Sequence, residues 1–180
     1  MDSRSKITTI IILLVAIAAS ISAYFYITTE AKNQNINSFE ACKNAGYEIL
    51  ESYPAQCKTS EGKSYTESIG NEVDKIDQIV ISSPRPNQKV SFPLEIKGKA
   101  RGTWFFEASF PIKLIDEGGF LIAQGNAQAV GEWMTEDFVE FTSLLTGSLP
   151  EGEKGMLILE KSNPSGLPEN ADQLELPVVF

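Results

Sequence analysis

From Ile76 to Phe180 the sequence predicts an all-β domain, and three patterns predict it. Apolar and polar residues alternate with period two, Gly, Pro and Asn clusters interrupt the alternation at short intervals, and no helical period of useful length competes. Leu94, Ile96, Gly98 and Ala100 alternate with Glu95, Lys97, Lys99 and Arg101, which describes a strand with one buried and one wet face. Phe106, Ala108, Phe110, Ile112 and Leu114 continue the pattern until Asp116-Glu117-Gly118-Gly119 breaks it as a hairpin turn. The next strand sets Leu121, Ala123, Gly125, Ala127 and Ala129 on one face, small residues suited to lie opposite the preceding aromatics. Val139 to Ser143, Met156 to Glu160 and Leu174 to Phe180 supply further strands, and Gln78 to Ile81 supplies the first.

About seven strands in some 105 residues suit an immunoglobulin-like β-sandwich, with a small closed barrel as the alternative. No cysteine lies in this stretch, so its stability must come from packing alone.

Ahead of the domain the chain reads as a membrane anchor, a spacer and a small stapled module. Ile7 to Ile27 contains no charge. A helix of that length reaches about 31 Å, the thickness of a bilayer's hydrocarbon core. Arg4 and Lys6 precede it in the tail 1–6 and only Lys32 follows closely, so the positive-inside rule places the N-terminus in the cytoplasm. The expectation is a single-pass protein of the cell membrane with its C-terminal part outside. A cleavable signal peptide is the alternative, since Ser20-Ile21-Ser22-Ala23 offers small residues, although the apolar run exceeds the usual 7–15 residues. A polar spacer follows over 28–37, and 68–75 has the composition of a linker.

The module between them, 38–67, holds both cysteines of the chain, Cys42 and Cys57. An oxidising exterior favours a disulfide, worth on the order of 3 kcal/mol for a loop of this length. A metal pair is the alternative, but the chain has no His and no further thiol to complete a zinc set. Ser38 is placed to cap a short helix through Cys42 and Ala45 that Gly46 stops. Gln56–Thr59 and Ser64–Glu67 then read as two strands about a turn.

Charge and composition exclude some functions. Beyond residue 27 the chain carries 13 basic and 23 acidic residues, a surface that repels phosphate and argues against nucleic acid. Without His there is no Ser-His-Asp set, Cys-His pair or zinc-protease motif, and no glycine-rich phosphate loop occurs. The expectation is a protein that is not an enzyme and needs no cofactor or metal. Glu132, Glu136, Asp137 and Glu140 share one polar segment, more often a solvated face than a catalytic pair. With Asp116 and Glu117, these acids match no recognised calcium-loop spacing.

Arg101, Trp104, Glu132, Trp133 and Glu136 form the candidate binding surface. The tryptophans are read either as core plugs or as semi-exposed recognition aromatics, with Arg101 placed to stack beside Trp104.

Two resemblances follow from longer motifs. Ile81-Ser82-Ser83-Pro84-Arg85-Pro86-Asn87-Gln88, the run Lys97 to Ala108, Gly131-Glu132-Trp133-Met134-Thr135, and Asn163 to Asn170 together resemble the immunoglobulin-like domain of bacterial spore-germination proteins over about residues 76–180. The resemblance implies an all-β sandwich in the bacterial envelope that binds or scaffolds, its partner an envelope protein or cell-wall polymer. Cys42, Ala45-Gly46-Tyr47, Glu51-Ser52-Tyr53-Pro54, Cys57 and Gly62 resemble a two-cysteine element of secreted bacterial proteins. Tyr53-Pro54, Cys57, Gly62 and Tyr65 are also similar to Kazal-type protease inhibitors, which carry six cysteines where this chain has two. Peptidase inhibition through the cysteine loop is therefore the alternative function.

Overall fold

A computed structural model describes residues 3–33, 36–148 and 154–180, with the side chains of 3–10 and 27–33 outside the described set. The chain divides into two units, 1–67 and 68–180.

In the first unit, helix α1 spans Ser3–Asn33, through the apolar run and into the stretch expected as a spacer. Every side chain from Ile11 to Tyr26 is exposed. The hydroxyls of Ser20 and Ser22 donate to the carbonyls of Ala16 and Ala18 at 2.8 and 2.9 Å, so the helix satisfies its own polar side chains. Among the described residues no helix is long and apolar enough to cross a membrane. The expected span Ile7–Ile27 runs at both ends into residues whose side chains are not described.

The cysteine module follows its sequence signals closely. Ser38 caps α2 (Phe39–Asn44) by accepting from the Ala41 N–H at 3.1 Å, and Gly46 turns the chain away at φ +79°. Phe39 and Cys42, three apart on the helix, face inward. Strands β1 (Glu48–Leu50), β2 (Gln56–Lys58) and β3 (Ser64–Thr66) form an antiparallel sheet in that order. Of these, β1 has no sequence signal, because all three of its residues are exposed. Cys42 and Cys57 are joined as a disulfide with Cα atoms 6.0 Å apart, and both are fully buried. Phe39 and this bridge are the buried core, with Ile36, Tyr47, Ala55 and Tyr65 packed around them. So small a core needs its covalent staple.

The second unit contains helix α3 (Glu72–Lys75) and seven strands: β4 (Ile79–Ser83), β5 (Leu94–Arg101), β6 (Ser109–Asp116), β7 (Leu121–Ala129), β8 (Phe138–Leu145), β9 (Lys154–Glu160) and β10 (Gln173–Val179). All pairings are antiparallel, and the expected two-sheet sandwich is corrected to one continuous sheet of order β10-β9-β6-β7-β8-β5-β4, nearly closed into a barrel. The sandwich survives as a thin place in the sheet. The ladder between β7 and β8 is short, Gln128–Thr142 and Ala129–Phe141, with the Ser143 hydroxyl donating to the Asn126 carbonyl at 3.0 Å beside it.

Within the core, Phe110, Ile112 and Leu114 sit opposite Ala127, Gly125 and Ala123, large against small as the sequence predicts. Phe110 packs edge-on against Phe105 and Phe141, with ring centroids 5.2 and 4.9 Å away.

The strand frame slips upstream of β6. Phe106, expected inside, is 46% exposed, and its neighbour Phe105 is buried instead. Glu107 and Ala108 adopt φ +49° and +58°, closing a two-residue turn in which Phe106 and Ser109 exchange N–H···O bonds of 3.0 and 3.1 Å.

The segment expected as a linker, 68–75, is docked against β10. The Asn71 amide donates to the Gln173 carbonyl at 3.0 Å and accepts from the Glu175 N–H at 2.8 Å. Gly70, at φ +72°, lies so close to Glu175 that a Cβ would fall 1.8 Å from its carbonyl oxygen. Asn87 and Val90 donate to the carbonyls of Pro177 and Val179, and the Val179 N–H donates to Gln88. Pro177, which has no N–H, thus occupies an edge position where none is needed.

On the facing edge Arg85 donates to the Ile81 carbonyl at 2.6 Å while pairing with the buried carboxylate of Glu72 at 2.7 Å. Lys75 and Asp172, 2.5 Å apart, add a further tie between α3 and the start of β10. The gap between β4 and β10 is therefore closed by side chains, α3 and the 87–90 segment rather than by a strand pair.

Candidate binding surface at one end of the sheet

Because neighbouring strands alternate in direction, three loops leave the same end of the sheet: β5–β6 (102–108), β7–β8 (130–137) and β9–β10 (161–172). Main-chain bonds tie them together. The Gly102 N–H donates to Asp137 O at 3.0 Å, the Ser162 N–H to Trp104 O at 3.0 Å, and the Ala129 N–H to Ala108 O at 2.8 Å. A Cβ on Gly102 would lie 1.9 Å from the Thr135 carbonyl oxygen and 2.4 Å from that of Trp133, so only glycine lets the loops approach this closely.

Of the candidate residues, Arg101 and Glu136 meet, but through the main chain. The guanidinium donates to the carbonyls of Asp77 and Glu136 at 3.0 and 3.3 Å and stacks 4.3 Å above the Phe138 ring. The stacking partner expected for Arg101, Trp104, is elsewhere: it is 1% exposed and a core plug, with an indole N–H that finds no acceptor among the described residues. Trp133 is half-buried and leans on the core. The Glu132 carboxylate accepts from the Met134 N–H at 3.1 Å, and the Asp137 N–H donates to the Thr135 hydroxyl at 3.1 Å. Asp116, at the opposite end, accepts from the Phe120 N–H at 2.8 Å. Glu132 and Asp116 thus order their own turns.

What sequence reasoning missed is the apolar set at this end. Phe106, Val130, Met134 and Leu167 are 46, 57, 74 and 50% exposed. The consecutive pair Phe105-Phe106 was the available signal, since adjacent residues of an extended chain face opposite ways.

The geometry gathers three of the four sequence motifs quoted above at this end, and places the fourth, 81–88, on the closing seam. A family model described as the immunoglobulin-like domain of bacterial spore germination matches residues 78–166. Residues 78–166 are an immunoglobulin-like domain of the spore-germination family. No curated protein and no solved structure matches the chain. The matched part of the spore-germination domain runs from just before β4 into the β9–β10 loop, so α3 and β10, which complete the sheet, lie outside it.

Proposed function

We propose that the chain holds a disulfide-linked module and a spore-germination immunoglobulin-like domain at the outer face of a bacterial membrane, where the domain binds or scaffolds other envelope components without catalysis. The observation that carries the reading is the loop end, where exposed apolar side chains stand on loops locked by main-chain bonds and the Glu132 carboxylate orders its own turn. Anchoring is supported by α1, whose side chains from Ile11 to Tyr26 are exposed on every side and whose serines bond inward. A helix apolar all round is suited to lipid rather than water. Arg4 and Lys6 before the run favour an outward C-terminal part, and the Cys42–Cys57 bridge fits an oxidising exterior.

The test is fractionation of cells expressing the full chain, with protease added outside intact spheroplasts and the mass of the mature protein taken with and without reductant. A membrane-bound chain of full mass, digested from outside, is expected. Recovery from the aqueous fraction with a mass lacking residues 1–23, or protection from external protease, would sink the anchored reading.

Peptidase inhibition remains a second reading because Ile49, Leu50 and Tyr53, between the half-cystines, are 41, 39 and 55% exposed. It requires that Cys42→Ser/Cys57→Ser abolish inhibition of some protease in a panel. Equal behaviour of the two proteins against the whole panel removes it.

A further inference from the structure

We infer that the loop end docks a protein whose own contact patch is apolar and rimmed by lysine or arginine, an inference that rests on reading the domain as an outward-facing binding module. Scattered exposed apolar residues are ordinary on a protein surface. Here each of the three loops at one end supplies at least one: Phe106 from the first, Val130 and Met134 from the second, Leu167 from the third.

Their backbones are already fixed. Phe106 is swung outward by the turn at Glu107 and Ala108, both held in the left-handed region without glycine. The Met134 N–H is held by the Glu132 carboxylate. In the third loop the Leu167 carbonyl accepts from the Asn163 amide at 2.8 Å. Loops ordered in advance lose little conformational freedom on docking, and aromatic residues and Met are enriched at protein interfaces.

Charge selects the partner. Glu107, Glu132, Glu136, Asp137 and Glu169 are exposed on the same loops. Of the cations at this end, Arg101 is committed to two carbonyls and the Phe138 ring, over which Lys99 also sits, Lys161 of the third loop is half-buried, and the chain as a whole carries −9. Anionic lipid headgroups and phosphate-bearing wall polymers would be repelled by this rim, whereas a protein patch bordered by basic side chains would be drawn to it.

The experiment uses the full chain in its native membrane, with a photoreactive phenylalanine analogue at position 134 or 167. A control carries the analogue at Phe120, which is 74% exposed at the opposite end of the sheet. A discrete protein adduct is expected from 134 and 167 but not from 120. Its yield should fall about tenfold with Phe106→Ser, and comparably with Glu136→Lys/Glu169→Lys. An unchanged tryptophan-monitored unfolding transition certifies that each variant is folded.

Equal adducts from position 120, a yield indifferent to the charge reversals, or Phe106-dependent sedimentation of the purified chain with phosphatidylglycerol vesicles would overturn the inference. If the chain is absent from the membrane, the anchored reading fails. If it is present and outward-facing but gives no adduct, this inference alone fails.

Discussion

Replacing Asn71 by alanine removes the two side-chain bonds that hold the start of β10, the donation to Gln173 O at 3.0 Å and the acceptance from Glu175 N at 2.8 Å. The main-chain bond from Asn71 N to Glu175 O, at 3.3 Å, is indifferent to the side chain. Each lost bond costs about 1 kcal/mol net, and up to about 3 where the abandoned group stays out of reach of water. Both groups sit on half-buried residues, so the expected destabilisation is about 2–4 kcal/mol, or about 10–20 °C in Tm for a domain of this size. Urea unfolding followed by tryptophan fluorescence measures it cleanly, because Trp104 and Trp133 are the chain's two tryptophans and both lie in the second unit. A companion fragment beginning at residue 76 should lose at least as much stability relative to one beginning at 68. If Asn71→Ala shifts stability by less than about 0.5 kcal/mol and both fragments unfold at the same urea concentration, then 68–75 is a tether and the closure argument is refuted.

Three further outcomes follow from the same geometry. Cys42→Ala/Cys57→Ala should unfold the module, given a loss of about 3 kcal/mol for its loop, while leaving the tryptophan transition unchanged; hydrogen exchange over 48–66 reads the first and fluorescence the second. Arg85→Met leaves the Glu72 carboxylate, 6% exposed, without its guanidinium. It should cost about 2–4 kcal/mol in urea unfolding, the lower end favoured because Arg85 is itself half exposed, and Glu72→Leu/Arg85→Met should recover most of the loss. Ala108→Gly relieves a residue at φ +58° and should stabilise the domain by about 0.5–1 kcal/mol, seen as a raised urea midpoint at unchanged slope.

Sequence periodicity was most legible where side-chain alternation and burial coincide. The ends of β5 and β7 fall where the alternation of Leu94–Arg101 and Leu121–Ala129 ends, and the large-against-small register of β6 on β7 follows from residue sizes alone. The cap at Ser38, the stop at Gly46 and the Cys42–Cys57 bridge were legible because each rests on local chemistry.

The closure of the sheet left no periodic trace. Asn71, Glu72, Arg85 and Asn87 look like loop residues, and their role exists only once β4 and β10 approach. The candidate surface was legible in part for a similar reason. Glu132, Trp133 and Glu136 do lie at the loop end, but Trp104 is drawn into the core, and the outward turn of Phe106 depends on left-handed angles at two residues that ordinarily avoid them.

The sealed seam bears on how this domain can bind at all. Immunoglobulin-like sheets can recruit partners by adding a strand to an open edge, a mode that needs unpaired main-chain groups. Along β10 the outward groups are already occupied: Gln173 and Glu175 by Asn71, Pro177 and Val179 by the 87–90 segment. On β4 the Ile81 carbonyl is taken by Arg85. Strand addition at β10 would first have to displace these bonds, of which the two made by the Asn71 side chain are partly buried. The loop end asks for no such displacement, since its apolar side chains already face outward. On the proposed reading of the domain as a binding module, the occupied β10 edge favours the three tied loops over strand addition there, and opening the seam with Asn71→Ala should weaken the fold without creating a productive docking edge.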